Sequence, residues 1–111
     1  MSSYVIVLTT FASESDAESL TGKLLDAHLI ACANIVHPVR SMFLWKGARS
    51  GEQEALAIIK TRKKLLPAVI KWIRENHPYE VPEILALPVL TGSREYLDWI
   101  EEETSDAWSA E

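Results

Sequence analysis

The sequence predicts an α+β domain of the ferredoxin-like, split β-α-β kind: β-α-β-β-α-β plus a C-terminal helix, built on an antiparallel sheet. Three observations carry this. β-branched apolar runs of strand length are interleaved with stretches of helical period. The second and third strands follow each other across a glycine-bearing turn, with no helix between them. The proline-rich segment from His77 to Val89 fits neither a helix interior nor a central strand over its whole length. The chain of 111 residues reads as a single domain, 1–111.

The elements follow in order. Tyr4 to Thr10 (YVIVLTT) is β-branched and apolar, the pattern of a buried central strand. Ser13 or Ser15 offers an N-cap, and Ser15 with Glu18 has capping-box spacing. Ala17, Leu20, Leu24 and Ala27 then recur at helical spacing and predict an amphipathic helix over 14–28. Leu29 to Val36 and Val39 to Trp45 read as one long strand, bent or bulged at Pro38. Lys46 to Gly51 is a turn by composition, and Glu52 to Thr61 returns as the second arm of a hairpin.

Arg62-Lys63-Lys64 opens the next helix, with Pro67 in its first turn and Leu66, Val69, Ile70 and Ile73 as its apolar stripe. His77-Pro78 stops it. The chain then runs as a rigid extended connection into a short strand over 83–89. Gly92 and Ser93 form a turn and cap before a last helix over 94–103, with Tyr96, Trp99 and Ile100 expected on its inner side. The tail 104–111 is expected to be mobile at its end, with docking of Trp108 on a neighbour as the alternative.

Two helices cover one face of such a sheet only. An open apolar face and open edges favour association, so a homo-oligomer is expected. The four tryptophans, Trp45, Trp72, Trp99 and Trp108, agree with burial against another subunit.

The net charge of −5 argues against general nucleic-acid binding and suits a protein that attracts cations. No stretch has the length of a transmembrane helix, and Met1-Ser2-Ser3-Tyr4 lacks a basic leader region. The single cysteine, Cys32, has no internal disulfide partner. A cytoplasmic location is expected.

Several blocks in order then resemble the CutA divalent-cation-tolerance family. They are Ala31-Cys32-Ala33-Asn34-Ile35, Ser41 to Gly47 (SMFLWKG), Ile59-Lys60-Thr61, His77 to Glu83 (HPYEVPE), Leu87-Pro88-Val89 and Tyr96 to Ile100 (YLDWI). The resemblance runs from about residue 4 to 101. It implies a homotrimer related in architecture to the PII signalling proteins, with sheets of neighbouring subunits paired through the long hairpin strands. It also implies a role in tolerance of divalent metals, copper above all, with the protein itself and divalent cations as partners. The metal pattern of some members uses a cysteine near the end of the first strand and a histidine pair before Pro-Tyr. Thr9 stands at the cysteine position here, and Asn76 and His77 at the pair.

His77 is the first metal-ligand candidate, with Glu80 and Glu83 as weaker oxygen donors that suit harder cations. The competing reading makes His77 a helix-end imidazole held by backbone carbonyls. Cys32 lies between alanines with no cation beside it in sequence, and reads as a small buried hydrophobe. His28 and His37 read as surface or interface residues. Lys60, Arg62, Lys63 and Lys64 gather where a strand meets a helix N-terminus, which offers an alternative: a PII-like adaptor trimer binding a small anion there. No nucleophile motif, His-x-x-x-His, Cys-x-x-Cys or glycine fingerprint is present, so neither an enzyme nor an organic cofactor is expected.

Overall fold

A computed structural model describes residues 3–106. The sheet has the strand order β2-β3-β1-β4, every neighbouring pair antiparallel. Strand β1 (Tyr4–Phe11) sits between β3 (Ala48–Arg62) and β4 (Leu85–Pro88), and β2 (Cys32–Trp45) is the other edge. The ferredoxin-like order expected from the sequence is thus present, with an added C-terminal helix.

Alternation fixes the two faces. Val5, Val7, Thr9 and Phe11 of β1 share a face with Ala55, Ala57, Ile59 and Thr61 of β3, and all are buried. Onto it pack α1 (Glu14–Asp26), through Ala17, Leu20 and Leu24, and α2 (Leu66–Asn76), through Val69 and Ile73. Alanines on β3 let the helices approach closely. Ser13 caps α1 by accepting from the Asp16 amide at 3.1 Å. The cap is Ser13, so the Ser15–Glu18 capping box does not form.

The opposite face carries Ile6, Leu8, Ile58 and Leu56, with Leu85 and Leu87 of β4 exposed beside them. Helix α3 (Arg94–Glu103) is tied to one end of it. The Tyr4 hydroxyl donates to Glu101 at 3.0 Å, and the Arg62 guanidinium donates to Thr104 Oγ1 at 2.9 Å and to the Thr104 carbonyl. Ile100 is buried there, while Tyr96 and Trp99 remain 43% and 40% exposed, and the Tyr96 side chain still meets Cys32 of the sheet.

The hairpin departs from expectation in length. Its turn is only Lys46-Gly47, both at positive φ (51° and 82°), the pattern of a two-residue loop whose twist matches the strands. Strand β3 therefore begins at Ala48. The register shift between Val36 and Val39 is the irregularity expected at Pro38. β1 pairs with β3 only as far as Phe11–Ala55, while β2 and β3 stay paired out to Trp45–Ala48. A two-stranded ribbon thus projects beyond the sheet, with Met42, Leu44 and Trp45 at 65%, 76% and 64% exposed.

Candidate functional site

The segment after α2 is fixed by a small polar network beneath it. His77 is the C-cap of α2, and its ring turns inward, stacked on Phe11 with centroids 4.4 Å apart and planes 13° apart. Its Nε2–H donates to the Thr10 carbonyl at 2.7 Å, and its Nδ1 accepts the Tyr79 amide at 3.0 Å. These partners define the neutral Nε2–H tautomer. The Tyr79 hydroxyl donates to Glu54 Oε2 at 2.7 Å.

Burial dominates the electrostatics. Desolvation lowers the His77 pKa below the ordinary histidine value, against the opposing Thr10 hydrogen bond and the carboxylates of Asp16 and Glu54. Desolvation first, then the Glu54 hydrogen bond, raises the Tyr79 pKa well above the ordinary phenol value, so it remains a donor.

His77, the first ligand candidate, is thus turned toward protein partners. Both ring nitrogens already have protein partners, so neither lone pair is directed at a cation. The carbonyl it engages belongs to β1 and not to the end of its own helix. Glu80 and Glu83 are exposed on the segment beyond. Among the described residues no group of three or more His, Cys, Asp or Glu is arranged to hold a metal ion. Thr9, at the cysteine position of the family pattern, is buried on the helix-covered face, and its hydroxyl has no hydrogen-bond partner. Asn76 donates from its side chain to the Trp72 carbonyl at 2.9 Å. The described residues of one chain therefore do not form a copper site of the sulfur–imidazole kind.

The basic cluster disperses as well. Lys60 donates to Asn34 Oδ1, Arg62 is held by Thr104, and Lys64 pairs with Asp106 at 3.4 Å. Lys63 and Lys64 fall in a 3-10 turn (Lys63–Leu65) ahead of α2, which begins only at Leu66. The four bases do not converge on one anion pocket.

Cys32 is half-buried, and its β3 register partner is Lys60, whose Nζ lies 3.9 Å from Sγ. The cation missing from its sequence neighbourhood is supplied across the ladder; only strand pairing reveals it. His28 adopts positive φ (57°) just past α1, and its Nδ1 lies 2.9 Å from the Glu103 carbonyl, joining two helix ends. His37 is exposed, as expected. Trp72 is half-buried against the core, and the expectation for Trp108 lies outside the described residues.

A groove of 430 Å³ lies between the C-terminal half of α2 and this segment, lined by Lys71, Arg74, Glu75, Glu80 and Pro82.

Residues 5–103 match the family model described as CutA1 divalent ion tolerance protein. The chain is 41% identical over 99 residues to the divalent-cation tolerance protein CutA of Thermus thermophilus, covering 89% of this chain and 96% of that one. It is 36% identical over 103 residues to the chloroplastic protein CutA 1 of Oryza sativa, covering 93% of this chain but 58% of that longer one. The crystal structure of CutA1 from Oryza sativa superposes with a TM-score of 0.90 at 35% identity, covering 95% of this chain and 96% of the other. With sequence and fold agreeing over nearly its whole length, the chain belongs to the CutA1 divalent ion tolerance family.

Proposed function

We propose that this protein acts in divalent-cation tolerance as a non-enzymatic, cytoplasmic homotrimer, with copper-type cations met at subunit boundaries. Membership of the family over residues 5–103, with relatives named for divalent-cation tolerance, carries the reading. Two features of the chain support it. The projecting ribbon exposes Met42, Leu44 and Trp45 together, an apolar surface that association would cover. No single chain assembles three ligands among its described residues, so a specific site draws donors from more than one subunit. The exposed carboxylates of Glu80 and Glu83 are the donors this chain's proline-rich segment offers, and His77 keeps that segment in place.

Calorimetric titration of copper and zinc into the trimer and its variants tests the assignment. Glu83→Gln and Glu80→Gln are expected to weaken binding, and His77→Asn to leave the stoichiometry unchanged wherever the trimer persists. Loss of binding in a folded, trimeric His77→Asn protein would return the ligand role to His77.

A further inference from the structure

The groove beside α2 is charge-balanced and its charges are unspent. Lys71, Arg74 and Glu75 lie at i, i+3 and i+4 of one helix, and therefore on one helix face. Glu80 and Pro82 form the other wall. Among the described residues no ion pair joins any of these four charged groups to a partner. The loop wall is preorganised: Tyr79, next to Glu80, is held through its amide by His77 and through its hydroxyl by Glu54. A buried imidazole and a largely buried carboxylate are thus committed to positioning an exposed segment.

The lining selects among ligands by charge. A divalent cation bound here faces the ammonium of Lys71 and the guanidinium of Arg74. An inorganic anion faces the carboxylates of Glu75 and Glu80. A neutral molecule carrying both charges satisfies both sets, its carboxylate on the Arg74 fork and Lys71, its ammonium on Glu80 and Glu75. The groove is open to solvent, and its 430 Å³ has room for a molecule of amino-acid size. We infer that this groove binds a small zwitterion of the α-amino acid class. The groove belongs to the helix layer; it shares Glu80 with the cation-binding proposal, while Lys71, Arg74 and Glu75 belong to the groove alone.

Amide chemical shifts of the full chain report on it directly. L-Alanine, L-leucine and L-glutamine are titrated separately, with N-acetyl-L-alanine and L-alanine amide as probes that each lack one charge. The expected result is saturable shifts confined to residues 71–82 for at least one free amino acid, with a Kd below about 10 mM. Each blocked probe, and each of Arg74→Gln and Glu80→Gln, weakens binding about tenfold or more. Absence of saturable shifts with all three amino acids overturns the inference. So does equal binding of the blocked probes, or saturation by magnesium or phosphate in their place. A parallel copper titration separates this outcome from that of the cation proposal, because either can fail while the other holds.

Discussion

The Tyr79 hydroxyl donates to Glu54 Oε2 at 2.7 Å, joining the proline-rich segment to the third strand across 25 residues of sequence. Glu54 is buried, so its carboxylate depends on this donor. Tyr79→Phe removes the donor and leaves the ring. The expected cost is about 1–3 kcal/mol of folding stability, read by urea denaturation at neutral pH. An unchanged midpoint would mean that water serves Glu54 equally well.

His77 makes stability depend on pH. Its pKa in the folded chain is lowered, so the unfolded chain binds more protons just below the ordinary value of about 6.5. The contribution is complete above that value and is lost as pH falls toward the folded pKa. The structural reason is local: a proton on Nδ1 meets the Tyr79 N–H, a donor facing a donor. Comparing urea midpoints at pH 7.5 and 5.5, the fall should be larger for the wild type than for His77→Asn. An equal fall would place the dependence elsewhere.

Thr9 carries a buried hydroxyl without a partner. Thr9→Val replaces it with a methyl of similar shape, so the variant should be more stable by about 1 kcal/mol, up to about 3, the cost of an unmet buried polar group. Thermal denaturation measures this. A destabilised variant would indicate that the hydroxyl is bonded in solution.

The projecting ribbon should carry assembly. Leu44→Asp with Trp45→Asp places two charges on two of its exposed apolar residues while leaving the helix-covered core untouched. Light scattering at micromolar concentration should give the mass of three chains for the wild type and a smaller one for the double variant. A wild-type monomer would contradict the assembly.

Much of this fold was legible because its signals are local. The alternation in Tyr4–Phe11, the helical period through Leu20 and Leu24, and the irregularity at Pro38 each come from side-chain chemistry within one element. Boundaries set by backbone geometry were harder to read. Lys46 accepts positive φ, which allows a two-residue turn and lengthens β3 by several residues over the composition-based reading. The site was the least legible part. Whether His77 faces solvent or Phe11, and whether Cys32 meets Lys60, depends on strand register and on the exit angle of α2. Likewise, Lys60 and Arg62 are adjacent to Lys63 and Lys64 in sequence, yet strand pairing and α3 draw them toward Asn34 and Thr104. The family blocks identified the chain because they span many elements; its ligand chemistry rests on single residues, and Thr9 and Asn76 differ from the pattern at two of them.

Once assembled, the chain is expected to bind divalent cations. Calorimetric titration of copper and zinc into the wild-type protein tests it most directly. The expected result is saturable binding tighter than about 1 mM, equivalent to about −4 kcal/mol. Heats that fail to saturate for either metal up to that concentration, in a protein shown to be trimeric, would contradict it.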